Sequence, residues 1–216
     1  MIHSEGVAYD KIDLDAARER GIYVCNNKGC NAGAVAEQAI MLMLMLLRHG
    51  RTGDLAVREG RQMEVKERDR QEEEQYGVTY LSLEELTASS DIVSLHCAVN
   101  DETRGMVNEA FLNRMRRDAY LVNTARGDLV DNEALRQALL TGHLAGVGLD
   151  TLAPEPVPAD HPLVTLPAPA CDRVVLSPHL GGITEASFRR AHLHMWRNAE
   201  RVVDGHKPDD IVNGVL

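Results

Sequence analysis

The sequence predicts an α/β protein, a parallel sheet with flanking helices, and three observations predict it. Short apolar runs alternate with helical stretches of about ten residues through the C-terminal two-thirds, which is the pattern of βαβ units. Arg126, Glu155 and His179 each fall just after such a run ends, where open α/β sheets assemble their sites. A length of 216 residues suits one large domain or two small ones.

Taken in order, Asn31 precedes a helix over Ala34 to Leu47 that is apolar nearly all round after its first turn. Such a helix is expected to be buried on most sides, with its methionines as packing. Residues 63–76, Met-Glu-Val-Lys-Glu-Arg-Asp-Arg-Gln-Glu-Glu-Glu-Gln-Tyr, hold almost nothing to bury and read as a solvated helix or linker. Tyr80 closes a short strand, and Ser82 with Glu85 forms a capping box for a helix through Leu86. Strands follow at 91–96, 119–123, 144–149 and 174–176. Between them lie helices at 109–117 and 132–140, the second capped by Asp131 and ended by Gly142.

Composition narrows the function class. Lys and Arg total 23 against 33 Asp and Glu, a net charge of −10 with no basic stripe, which argues against nucleic acid. The longest strongly apolar run, Ala39 to Leu47, falls far short of the ~20 residues of a membrane span. Met1-Ile2-His3-Ser4-Glu5 has no signal-peptide character, and Cys25, Cys30, Cys97 and Cys171 form neither a CxxC pair nor metal-ligand spacing. The expectation is a soluble cytoplasmic protein with no metal and no membrane partner.

The chemistry concentrates in three segments: Val122-Asn123-Thr124-Ala125-Arg126-Gly127, Pro154-Glu155-Pro156, and Ser177-Pro178-His179-Leu180-Gly181-Gly182. A guanidinium binds a carboxylate through two parallel hydrogen bonds, so Arg126 is a candidate anion clamp. An imidazole titrates near pH ~6.5, and a carboxylate beside it keeps a proton available at neutral pH, so His179 with Glu155 is a candidate acid–base pair. Taken singly, each has a plainer reading, as a surface ion pair, an exposed loop or a solvent-facing histidine. Together they supply what reduction of a 2-keto acid requires.

In these motifs the chain resembles the D-isomer-specific 2-hydroxyacid dehydrogenases, the group that includes phosphoglycerate dehydrogenase and glyoxylate reductase. The similarity runs in two blocks, from Gly6-Val7-Ala8-Tyr9-Asp10-Lys11-Ile12-Asp13 to about Gly60, and from Gly77 to the C-terminus. The resemblance implies NAD as cofactor, with NADP left open, a small 2-hydroxy or 2-keto acid as substrate, and a possible homodimer. It implies residues 1–76 as a substrate-domain remnant, junction helix and charged linker, 77–183 as the C-terminal half of a Rossmann-like NAD-binding domain, and 184–216 as a return helix and tail. Arg126, Glu155 and His179 become the catalytic residues. Val7, Cys97, Thr124, Ala125, Arg126, Asp150, His179, Leu180, Gly181 and Gly182 line the cofactor, the two glycines letting the chain pass close to the nicotinamide ring. The Val7 and Ala8 amides, with Arg126, hold the substrate carboxylate. For Cys97, a small buried apolar residue is an equally good reading.

The sequence also departs from that pattern. Ala8 stands where glycine is usual, Lys11 for asparagine, Ala98 for proline, and Arg117-Asp118 for a Pro-Gly turn. The glycine-rich βαβ that cradles a pyrophosphate on backbone amides is absent between Gly60 and Gly77, an interval too short for a unit of about 30 residues. Gly146-Val147-Gly148 lacks the third glycine and lies in another strand. The front of the substrate domain is also expected to be missing, leaving an incomplete nucleotide-binding domain. Three functions remain open: a dehydrogenase weakened by loss of the pyrophosphate loop, an inactive pseudoenzyme or gene fragment acting through protein contacts, or, ranked last on composition alone, an interaction module docking through its methionine-rich helix.

Overall fold

A computed structural model of the chain describes residues 1–60 and 81–215. The charged stretch 63–76 and the strand expected to close at Tyr80 lie outside the described residues. Two parallel sheets organise the rest. The small one pairs β1 (Ile2–His3) with β2 (Val24–Cys25), joined by α1 (Leu14–Glu19). The large one has the order β3-β4-β5-β6, with β3 (Ile92–Leu95), β4 (Tyr120–Asn123), β5 (Gly146–Leu149) and β6 (Val174–Leu176). Helices α2 (Ala32–Leu47) and α3 (Gly50–Arg58) connect the two, and α4 (Leu83–Ser89) leads into β3. The crossovers carry α5 (Glu109–Arg114) and α6 (Asn132–Leu140), and α7 (Glu185–Val203) runs back toward the small sheet.

The helix starts follow from their caps. Ser82 and Glu85 form the reciprocal capping box of α4, and the Asp131 carboxylate accepts from Glu133 and Ala134 at the start of α6. α5 stops three residues earlier than its sequence suggests. Met115 turns extended and Asp118 takes φ +64°, the left-handed region that glycine enters most easily.

Leu121 and Val147 point into the main core with Phe111, Leu112, Leu135 and Leu139 from α5 and α6. On the opposite face, Val122 meets Ala39, Leu42 and Leu46 of α2. Glycines at 146 and 148 allow that approach. A Cβ at Gly148 would stand 3.0 Å from the Leu42 Cβ, and one at Gly146 3.1 Å from a Leu46 methyl. The Gly-x-Gly of this strand serves helix packing.

α2 is less covered than its composition suggests. One side packs on β4, β5 and β6. Its other side leaves Ile40 (55%) and Leu44 (54%) exposed, along with Met41. The sheet takes only one stripe of a helix that is apolar all round. A shallow apolar groove of about 470 Å³ runs along this outer side, lined by Ile40, Met41, Leu44 and Met45. Among the described residues no single helix is long and apolar enough to cross a membrane.

The chain's last segment completes the small sheet. Ile211 bridges Cys25, Val212 donates to the Val24 carbonyl, and the Asn213 side chain bonds the backbone of Val24 and Ile22. α7 is tied there by a buried Asn198, whose amide donates to His3 Nε2 (3.0 Å) and to the Asp209 carbonyl (3.1 Å).

Candidate active site

Adjacent strands of the large sheet deliver the three candidate groups. Asn123 of β4, Leu149 of β5 and Leu176 of β6 are register partners. Arg126, Glu155 and His179 therefore leave the same, C-terminal edge of the sheet.

The turn bearing Arg126 is held by Asn123, whose buried side chain accepts from the Ala125 amide (2.9 Å) and donates to the Arg126 carbonyl (2.8 Å). Gly127 has a steric reason: a Cβ there would lie 2.2 Å from the Leu152 carbonyl carbon. The Arg126 guanidinium gives one donor to the Ala125 carbonyl (2.7 Å), and no described carboxylate pairs with it. Beside it, the Thr124 hydroxyl is buried with no partner among the described residues, a polar atom at the strand end that a ligand could satisfy.

His179 Nδ1 lies 2.9 Å from Glu155 Oε2. Against that carboxylate Nδ1 is the donor, and Nε2 meets no described partner. The backbone of His179 takes φ +56°. Asp150 holds it there. The His179 amide donates to the Asp150 carbonyl (2.8 Å), while the Asp150 carboxylate accepts from Leu180 N (3.0 Å), Gly181 N (2.8 Å) and Ser177 Oγ (2.5 Å). Asp150 is 1% exposed, and its carboxylate is engaged by this loop. The two glycines are also accounted for by protein contacts. A Cβ at Gly181 would sit 2.8 Å from Asp150 Oδ2, and one at Gly182 2.6 Å from Asn31 Nδ2. Leu180 is exposed beside them.

The other expected residues are placed as follows. Cys97, two residues past β3, is partly buried against the main core with its thiol 3.8 Å from Met106 Sδ. Val7 and Ala8 form a turn whose carbonyls are taken by Asn26 Nδ2 (2.7 Å) and Ser4 Oγ (2.6 Å). Their two amides meet no acceptor among the described residues. Ala8 does not take a positive φ, so the methyl that replaces a glycine hydrogen brings no backbone strain.

Sequence reasoning missed the residues that hold these turns. Asn26 and Asn27 anchor residues 5–7 through their side-chain amides, and Gln38 of α2 reaches Ser177 Oγ at 2.8 Å. The paired asparagines directly after the buried Val24-Cys25 were the available signal. For Gln38, a lone amide on an apolar helix, the sequence held no clue to its partner.

Comparison with known proteins then decides the family. Residues 62–181, more than half of the chain, match the model described as D-isomer specific 2-hydroxyacid dehydrogenase, NAD binding domain. The chain belongs to the D-isomer specific 2-hydroxyacid dehydrogenase family. Glyoxylate reductase of Korarchaeum cryptofilum (strain OPF8) is 34% identical over 256 residues, covering 99% of this chain and 76% of that protein. With 216 residues here, at least 40 of those positions (256 less 216) belong to the relative alone. The crystal structure of a glyoxylate reductase from Paecilomyes thermophila matches with a TM-score of 0.84 at 27% identity, over 98% of this chain and 75% of that one. D-lactate dehydrogenase from Aquifex aeolicus, complexed with NAD and lactic acid, gives 0.81 at 25% identity, over 94% and 76%.

The family's cofactor is NAD, and the residues present fit one end of it. The Thr124 hydroxyl, His179 Nε2 and the Arg126 guanidinium, none with a side-chain partner among the described residues, follow strands that end at the same edge of the sheet. At the pyrophosphate end, no described strand pairs with the outer edge of β3, and no Gly-x-Gly-x-x-Gly turn leads from a strand into a helix among the described residues.

Proposed function

We propose that the chain is an NAD-dependent oxidoreductase interconverting a small 2-hydroxy acid and its 2-keto acid, with Arg126, Glu155 and His179 as its catalytic residues. Bound NAD would supply the hydride chemistry. His179 Nε2, the ring nitrogen without a partner among the described residues, gives a proton to the carbonyl oxygen in reduction and takes it back in oxidation. Glu155 fixes the ring orientation and tautomer through Nδ1. Arg126, which no described carboxylate pairs, grips the substrate carboxylate and polarises the carbonyl, aided by the Val7 and Ala8 amides, which meet no described acceptor. Thr124 and Ala125 border the nicotinamide, with Cys97, Val7, Leu180, Gly181 and Gly182 around it. Asp150 acts through the loop it holds.

The observation that carries this reading is the 2.9 Å His179–Glu155 pair at the sheet edge that also bears Arg126. Its test is NADH oxidation with glyoxylate and other short 2-keto acids, alongside a fluorescence titration of NADH. Without the pyrophosphate turn several charge-assisted hydrogen bonds are lost, each typically ~1.5–3 kcal/mol, so affinity falls to about millimolar. Turnover at millimolar NADH supports the reading, and none at any accessible cofactor concentration rejects it.

A second reading, a non-catalytic descendant acting through protein contacts, draws on the 40 or more relative positions with no counterpart here. Absence of both turnover and NADH binding would favour it. Under either reading we place the protein in the cytoplasm, with neither nucleic acid nor membrane as partner. We also propose a homodimer through the uncovered side of α2, since a contiguous apolar patch of this kind marks an interface. Analytical ultracentrifugation of Leu44→Glu tests that assembly.

A further inference from the structure

A carboxylate buried without a cation needs neutral donors, and Asp150 has them from two parts of the chain. The 177–181 loop gives Ser177 Oγ and the amides of Leu180 and Gly181. The remaining donor comes from α2. Gln38 Nε2 lies 2.8 Å from Ser177 Oγ and 3.4 Å from Asp150 Oδ1. Hydrogen-bond direction along this set is fixed: a carboxylate only accepts, so the Ser177 hydroxyl proton points to Asp150 and the Gln38 amide donates to the serine oxygen. The Gln38 stem also closes over the loop, since a Cβ at Gly181 would lie 3.4 Å from its Cγ.

We propose that Gln38 is a positioning residue for the acid–base group: through Ser177 and Asp150 it fixes the 177–181 loop and holds the His179 ring against Glu155. A left-handed non-glycine backbone is strained and persists only where its surroundings over-determine it. At His179 the over-determination is the row of amides 179, 180 and 181 converging on Asp150, and Gln38 is what ties that row to another element. The catalytic loop is therefore registered against α2, the helix that also packs on β4, β5 and β6. The assignment rests on the acid–base role given to His179 above, but its consequences appear in the resting protein.

The test uses Gln38→Met, which keeps the stem and removes the amide, with Ser177→Ala as a second break in the same chain. In histidine-labelled protein, ring-nitrogen NMR follows the hydrogen bonding of the His179 ring, and hydrogen exchange follows the Leu180 and Gly181 amides. Both variants are expected to displace the His179 ring-nitrogen resonances and to speed exchange at 180 and 181 roughly tenfold, with the core amides of β4 unchanged. Unmoved ring resonances and unmoved exchange in folded Gln38→Met and Ser177→Ala overturn the proposal. Neither readout needs turnover or cofactor, so an inactive chain with these shifts refutes the enzyme reading alone. An active chain without them refutes the positioning role alone.

Discussion

His179 directs Nδ1 to Glu155 Oε2, at 2.9 Å, from a backbone whose φ is +56°. An orienting carboxylate and a constrained main chain thus act on the same ring from opposite ends, and the two can be separated by mutation. His179→Ala is expected to lower kcat by roughly 10²–10⁴, the range for a positioned acid–base group. Glu155→Gln keeps a hydrogen-bonding group without the charge and should cost less. Steady-state rates distinguish the two, and equal rates for wild type and Glu155→Gln would remove Glu155 from the mechanism.

Arg126 is tested by charge against shape. Arg126→Lys preserves the charge but not the planar fork, and each charge-assisted hydrogen bond lost is worth about 1.5–3 kcal/mol. The expected result is a fall in kcat/KM for the keto acid of about tenfold or more per bond, read from steady-state kinetics.

His3 gives a pH dependence of stability. Burial lowers its pKa below the usual 6.5, outweighing the raising effects of the Ser4 carbonyl and Asp210, and His194 lowers it further. Its Nε2 accepts from Asn198, an arrangement that suits the neutral ring. The unfolded chain then binds more protons than the folded one, so this contribution is complete above pH 6.5 and is lost as pH falls through the lower folded value. Thermal melts from pH 7.5 to 5 should show a falling Tm, and the fall should be smaller in His3→Gln. An unchanged slope in that variant would assign the acid sensitivity elsewhere.

Two backbone positions predict opposite effects on stability. Asp118 at φ +64° occupies a conformation easier for glycine, so Asp118→Gly should stabilise by up to about 1 kcal/mol. Gly127→Ala should destabilise by about 3 kcal/mol or more, because the added methyl would overlap the Leu152–Ala153 peptide. Urea denaturation reads both.

The sheet was legible because its strands are apolar and its helices start on strong caps: Asp131 and the Ser82–Glu85 pair are local signals that local structure obeys. The His179–Glu155 contact was legible through motif context. Three features were not. The exposed side of α2 depends on how wide a stripe the sheet covers, which composition does not encode. Gly181 and Gly182 are small because Asp150, Gln38 and Asn31 crowd them, and that is a tertiary fact. Gln38 meets Ser177 across 139 residues of chain, beyond any periodicity.

The large sheet is laid down in the same sequence as it is translated, β3, β4, β5, β6, each new strand joining the outside of the last. A sheet built in this order behaves like a shelf of volumes, from which one end can be withdrawn while the rest keep their alignment. The ladder from Ile92–Tyr120 to Leu149–Leu176 stays in register as one set, and β3 is left as its outermost member among the described strands. Within the described residues β3 is therefore an edge strand, and an edge strand is where an extended peptide can add to a sheet.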